Sequence, residues 1–255
     1  MGNEASIRHT SRPVEGTATA KWLDPDGERM TSGVILAGGR STRFGDADKS
    51  VTELGGVPMI RRVANRLAGA DDPVPPGADR ASGGEPIVDE LVINCRPDQR
   101  DAVADALDGV TIPLRWALDD EPDLGPVAGI RNACRAASDE YVAVVACDMP
   151  FVDPKFLGSL VADAADHDAA IPRLDDQWLQ TTQAAYRADA MAAACDRALA
   201  RGDRKLVAPL DELDWIPVDD ATVRSRTTER TFTNVNTREE LTEAEAAVTA
   251  ATREQ

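Results

Sequence analysis

From Gly33 onward, short apolar runs alternate with stretches whose apolar residues recur at helical spacing, and this restricts the fold more than any other feature. "GVILA" (33–37), "IVDELVIN" (87–94), "TIPLRWAL" (111–118) and "EYVAVVAC" (140–147) read as strands. Between them "PMIRRVANRLAG" (58–69), "DQRDAVADAL" (98–107) and "GPVAGIRNACRAA" (125–137) read as helices. In the first of these Met59, Ile60, Val63 and Leu67 share one face, with Pro58 at the first helical position and Gly69 at the end. A further helix is expected from Pro154 to Ala165, strands near 169–172, 180–186 and 231–235, and helices near 188–200 and 237–250. Strands alternating with helices form a mostly parallel sheet covered on both faces. No repeat with a period of roughly 20–50 residues is present, which argues against a solenoid.

Sheets of this kind bind ligands beyond the carboxyl ends of their strands, where the strand order reverses. Four polar positions fall there: the 38–49 loop, Asn94, the Asp119/Asp120 pair and Asp148. The loop, within "GVILAGGRSTRFGDADKS", fits neither G-x-G-x-x-G nor the P-loop, because Lys49 lies four residues beyond Gly45. Gly38 and Gly39 lack a Cβ, so backbone N–H groups there can approach an anion closely. Arg40, Arg43 and Lys49 add positive charge, diluted by Asp46 and Asp48. In a chain of net charge −17, such a cluster of cations points to an anionic ligand.

The same acidity excludes nucleic acid as a partner, since binding it requires a basic face. Lysine occurs only at positions 21, 49, 155 and 205, so nearly all of the 28 cations are arginine. An acidic, lysine-poor surface suits a protein that must stay hydrated in concentrated salt, where screening shortens to about 3 Å at 1 M. The cysteines at 95, 134, 147 and 195 show no C-x-x-C spacing, so neither a metal site nor a disulfide framework is expected from them. His9 and His167 stand in polar surroundings, which leaves no histidine for acid–base catalysis. No apolar run is long enough to span a membrane and no signal-peptide pattern is visible, so a cytoplasmic, membrane-free protein is expected.

"LAGGRSTRFGDADK" resembles the signature loop of the small nucleotidyltransferases, L-A-G-G-x-x-x-R-hydrophobic-G-x-x-K. "VINCRPDQ", "DDEPDLGPVAGI", "VVACDMPFVDP" and "FTNVNTREEL" continue the match in order, from about 33 to 245, and make the chain most similar to the molybdenum cofactor guanylyltransferases. The resemblance implies a single-domain α/β fold at 32–255. Its three-layer, Rossmann-like, mostly parallel sheet would carry helices on both faces, as in nucleotide-diphospho-sugar transferases. It also implies an enzyme that uses GTP and Mg²⁺, with a molybdopterin-type cofactor as acceptor and transient contact with molybdenum insertion proteins or molybdoenzyme chaperones.

Carried over by position, Leu36, Ala37, Gly38 and Gly39 would line the nucleotide, and Arg43 and Lys49 would bind its triphosphate. Asn94 would contact the nucleoside, and Asp119, with Asp120 as the alternative, would help hold it. Asp148 would bind Mg²⁺, and Asn234 and Asn236 would lie on the metal and product side. Arg43, Lys49 and Asp148 form the expected catalytic set. Gly125 and Gly129 of "GPVAGI", together with Arg173 and Gln180, are candidates for the substrate side. Asn236 also reads as the N-cap of the last helix, and Asp148 as a helix-capping aspartate. Arg238 replaces the proline usual in the last motif, and the Pro/Gly-rich 71–86 stretch reads as a loop insertion.

Other bases or acceptors remain open at this stage: CTP with the molybdenum cofactor, or GTP with cobinamide phosphate or phospholactate. The absence of "PK" after the loop disfavours sugar-phosphate acceptors. A catalytically silent nucleotide-binding protein is the alternative from another class, and retention of Arg43, Lys49 and Asp148 argues against it. Residues 1–31 are expected to be a flexible tail, with Met30 as the expected true start.

Overall fold

A computed structural model describes residues 31–39, 48–70, 85–119, 124–175 and 177–253. Met30, the tail up to residue 30, Arg40, Arg43, Asp120 and most of the 71–86 stretch lie outside these residues, whereas Thr31 already opens the first strand.

The strands are β1 (Thr31–Leu36), β2 (Glu53–Leu54), β3 (Val57–Pro58), β4 (Glu90–Cys95) and β5 (Leu114–Leu118). They continue with β6 (Tyr141–Ala146), β7 (Ala169–Leu174), β8 (Trp178–Leu179), β9 (Gln183–Arg187) and β10 (Trp215–Asp219). The helices are α1 (Met59–Leu67), α2 (Arg100–Ala106), α3 (Pro126–Ala136) and α4 (Pro154–Asp163). After them come α5 (Ala188–Ala200), α6 (Asp220–Arg226) and α7 (Arg238–Arg253). The main sheet runs β10-β7-β9-β6-β1-β4-β5, with β8 added to β7. Only β8 and β9 are antiparallel to their neighbours in this sheet; the other pairings are parallel. The chain passes from β1 outward to β4 and β5, then returns to place β6 on the other side of β1. The strand order therefore reverses at β1, and that reversal opens a crevice above its carboxyl end.

Alternation along each strand explains the layers. Ile35, Ile93, Ala143 and Val145 face one core, with Ile60, Val63 and Leu67 of α1, Val103 of α2, Phe156 and Leu157 of α4 and Val223 of α6. Val34, Val92, Val142 and Val144 face the other core, with Val127 and Ile130 of α3 and Met191 and Cys195 of α5. A third, smaller cluster joins Leu54, Met59, Phe151 and Val235 to Ala244 of α7. The result is the expected three-layer α/β architecture. Cys95, Cys134, Cys147 and Cys195 are all buried and free.

Three expectations change. No strand forms over 231–235: Glu229–Phe232 is a 3₁₀ turn, and the residues after it run as irregular chain. Phe232 meets Phe156 edge-on at 5.7 Å while Val235 enters the α7 cluster, so the apolar residues of this segment serve different cores instead of one sheet face. The N-cap of α7 is Thr237, not Asn236: Thr237 Oγ1 accepts from Glu240 N at 3.1 Å and Glu240 Oε2 accepts from Thr237 N at 3.1 Å, a capping box. Asp153, not Asp148, caps α4, accepting from the backbone of Lys155 and Phe156. No helix among the described residues is long and apolar enough to cross a membrane.

Candidate active site

The site is built from three strand ends. After β1, Ala37 N donates to Asn94 O at 2.8 Å, and Leu36 O accepts from Cys147 N at 3.0 Å. The glycine loop therefore leaves the sheet pinned on one side to β4 and on the other to the segment following β6.

On the β4 side, Asn94 Nδ2 donates to Asp119 Oδ1 at 2.8 Å and to Ala117 O at 2.9 Å. Asn132, on α3, donates through Nδ2 to the same Asp119 oxygen at 3.1 Å. Two amides thus hold one carboxylate against the start of the loop. The clearances are tight: a Cβ at Gly38 would lie 2.5 Å from Asp119 Oδ2, and one at Gly129 would lie 2.4 Å from Asn94 Oδ1. Both positions require glycine because a polar side chain occupies the space where a methyl would stand. Gly39 is exposed, with nothing near its missing Cβ. Gly125 has φ 75°, a conformation that suits glycine, and it sets the entry of α3 at Pro126.

On the β6 side, Lys49 Nζ lies 2.5 Å from Asp148 Oδ2 and 2.5 Å from Asn236 Oδ1. The Lys49 and Asp148 side chains are only 13% and 18% exposed, so water screens their attraction little. Asp148 Oδ1 is buried and accepts no hydrogen bond among the described residues. The segment holding Asn236 reaches the site by crossing Asp148: Val235 N donates to Asp148 O at 2.9 Å. Asn234 directs its amide to Phe232 O at 3.2 Å, so the structure joins Asn236, and not the Asn234 side chain, to the Lys49–Asp148 pair.

Arg173 and Gln180 stand apart from that pair, on β7 and in the turn before β9. Gln180 N donates to Pro172 O, and the nearby Thr182 O accepts from Ala146 N at the end of β6. Arg173 Nε is buried with no hydrogen-bond partner among the described residues, and Trp178 of β8, opposite Leu174, is 63% exposed. Arg43 falls outside the described residues.

The cysteines nearest the site offer no nucleophile. Burial, with Asp119 and Asp48 adding to it, pushes the Cys95 thiol up to about 11. Burial, with Asp148 beside it, raises Cys147 further. No cluster of three or more His, Cys, Asp or Glu able to hold a metal occurs among the described residues.

Two contributors escaped sequence reasoning. Asn132 lies three residues after Gly129 on one face of α3, a spacing that places it over Asp119. Gln99 stands within the "VINCRPDQ" segment but carries no signal beyond its place after a strand.

A family model described as the MobA-like NTP transferase domain matches residues 33–214. The chain is 42% identical over 218 residues to a probable molybdenum cofactor guanylyltransferase of Natronomonas pharaonis, covering 86% of this chain and 97% of that protein. A protein of the same description from Haloferax mediterranei is 37% identical over 210 residues, with 82% and 90% covered. Among solved structures, molybdopterin-guanine dinucleotide biosynthesis protein A of Archaeoglobus fulgidus matches at TM-score 0.66 and 26% identity, with 86% and 99% covered.

Proposed function

Because the chain belongs to the MobA-like NTP transferase family, we propose that it transfers GMP from GTP to the phosphate of a molybdopterin-type cofactor. A phosphate oxygen of the acceptor attacks the α-phosphorus of GTP. The new O–P bond forms as the bond to the bridging αβ oxygen breaks, and pyrophosphate leaves with that electron pair. The nucleophile is already an anion, so no general base is needed, in keeping with a site that holds no histidine among the described residues. The difficulty is electrostatic: two anions must meet and charge builds on the leaving oxygens.

What supports this reading most is the convergence of Lys49, Asp148 and Asn236 on one side of the glycine loop and Asn94, Asp119 and Asn132 on the other. The first group suits a triphosphate and the second a nucleoside with N–H donors, since the Asp119 carboxylate accepts only. Lys49 would neutralise the leaving phosphates, with Arg43 as the second cation of the loop.

The residues fit Mg²⁺. Asp148 Oδ1 is a buried carboxylate oxygen with no hydrogen bond among the described residues, and hard cations take one or two carboxylates plus phosphate oxygens and water. Asp148, with Asn234 as the second proposed ligand, would hold the ion, which when bound supplies charge neutralisation to the triphosphate. Arg173 and Gln180 are proposed to border the pterin-bearing acceptor, and delivery of product would require brief contact with insertion proteins. Four free, buried cysteines suit the cytoplasm.

The test is to incubate the protein with Mg²⁺, molybdenum cofactor and each of GTP, CTP and ATP, at low and molar salt. Dinucleotide and pyrophosphate are followed together. Product from GTP alone is expected; product from CTP alone would keep the mechanism and change the base. GTP binding without product from this acceptor would overturn the assigned acceptor.

A further inference from the structure

Gln99 is 3% exposed and lies between the two ends of the glycine loop. Its Nε2 donates to Ala37 O at 3.2 Å, where the chain leaves β1, and to Asp48 Oδ2 at 2.6 Å, where the chain returns. Its Oε1 accepts from Arg96 N at 3.0 Å. Both amide hydrogens and the carbonyl oxygen are thereby committed, and two acceptors on one side with a backbone donor on the other fix which way the amide faces. The other oxygen of Asp48 accepts from Ser50 N at 3.0 Å and Ser50 Oγ at 2.7 Å, so the carboxylate is held at both ends. Arg96, itself braced by Asp98, donates to Gly38 O at 3.2 Å and Gly39 O at 3.0 Å.

We infer that Gln99 is a positioning residue: it clamps the entry and exit of the nucleotide-binding loop and sets the backbone from which Lys49 reaches the site. The inference rests on the loop's proposed role in holding a nucleoside triphosphate. Closing a loop costs entropy, and a tie between Ala37 and Asp48 meets that cost before any ligand arrives. Asp48 directly precedes Lys49, whose ammonium is the proposed partner of the leaving phosphates, so a shift at Asp48 is passed to Lys49 through one peptide bond. Gln99 itself, buried between Ala37 and Asp48, acts on the triphosphate only through these neighbours. Neither a hydroxyl nor an aliphatic side chain can replace it, because the site needs two donors and one acceptor on a single planar group.

The clamp holds the loop alike in the ground and transition states, so its loss weakens binding more than turnover. In Gln99→Ala the Kd and KM for GTP are expected to rise about tenfold, with kcat changed by less than about threefold. A purely structural role would instead lower the melting temperature and the active fraction while leaving KM unchanged. Gln99→Glu keeps the size of the side chain, sets a carboxylate against Asp48, and should weaken GTP binding at least as much. Pairing it with Asp48→Asn reverses that hydrogen bond, the new amide donating to the new carboxylate, and should recover the part of the affinity that the contact at residue 48 supplies, while the contact to Ala37 O stays lost. Direct GTP titration by calorimetry, run on Gln99→Ala, Gln99→Glu, Asp48→Asn and the double variant beside the parent, reads each of these effects without the acceptor. Unchanged GTP affinity in Gln99→Ala would overturn the clamp, as would a double variant no better than its weaker parent substitution. A parent protein that binds no nucleoside triphosphate would instead overturn the nucleotide reading of the loop, and the clamp with it.

Discussion

Lys49 and Asp148, 99 positions apart in the chain, meet at 2.5 Å above the carboxyl end of β1. The contact joins the end of the glycine loop to the end of the neighbouring β6, the two segments that the reversal of strand order brings together. It also shows how the site carries charge before substrate arrives: the cation proposed to meet phosphate and the carboxylate proposed to hold metal neutralise one another.

Separating these partners should have distinct effects. Lys49→Met is expected to lower guanylyl transfer about 10²–10³-fold, the usual loss when one positioned donor to a developing charge is removed. Asp148→Asn should abolish the dependence on Mg²⁺ of the rise in melting temperature that GTP produces. Scanning calorimetry with GTP, with and without Mg²⁺, reads the second effect. A metal-dependent shift that survives in Asp148→Asn would remove Asp148 from the metal site.

Gly129→Ala tests the nucleoside side. The new methyl would stand 2.4 Å from Asn94 Oδ1, so Asn94 must swing away from Asp119. Overpacking of this kind costs about 1–3 kcal/mol of stability, and KM for GTP is expected to rise about tenfold. Steady-state kinetics with GTP and ITP, which lacks the exocyclic amine, should show the loss falling mainly on GTP.

At the opposite end of the sheet, Ser32, Glu90 and Asp139 form a buried group with one serine hydroxyl between two carboxyls. Burial works to raise Glu90, but the Ser138 N–H, Arg115 and Ser32 outweigh it and hold the carboxyl below its ordinary value. Burial raises Asp139, with Asp89 and Glu90 adding to it, against the opposing hydrogen bond from Ser32. Glu90 therefore stabilises the fold above the ordinary glutamate range, and that contribution is lost as pH falls through its lowered value. Asp139 acts in the other sense, costing stability as pH rises from the ordinary aspartate range through its raised value. At neutral pH, Glu90→Gln should destabilise by about 1–3 kcal/mol and Asp139→Asn should stabilise by about 1 kcal/mol. Urea titrations between pH 4 and 8 check both signs, and a neutral or destabilising Asp139→Asn at pH 8 would refute the second.

Thr237→Ala removes the hydroxyl of the capping box and should cost about 1 kcal/mol. Because Asn236 is fixed just before that cap, and its Oδ1 accepts from Lys49, a modest fall in turnover should accompany the loss of stability. Thr237→Ser should restore both, as measured by chemical denaturation and initial rates.

Much of this was legible in sequence where burial was strong. β1, β4 and β6 are continuous apolar runs because both of their faces meet a helical layer. α1 declared itself through Met59, Ile60, Val63 and Leu67, all of which are fully buried. β10, at the sheet edge, was missed because "WIPVD" is only half-buried and contains a proline. The β2–β3 hairpin passed unread although Gly55 and Gly56 mark its turn. In the site, Asn94, Asp119 and Asp148 stood out as polar residues at strand ends. Gln99 and Asn132 did not, because a residue that works by hydrogen-bonding another leaves no pattern in a linear sequence.

The crossing of Val235 over Asp148 has a consequence for synthesis. The family match ends at residue 214, yet the hydrogen bonds that complete the Lys49–Asp148–Asn236 triad come from beyond it. Every strand of the sheet lies before residue 220, so all of them leave the ribosome ahead of this last segment. The nascent chain cannot finish the site until Val235, Asn236 and the first turn of α7 emerge. Fragments stopped before that point would lack the closing contacts to Asp148 and Lys49, and with them the last side of the site.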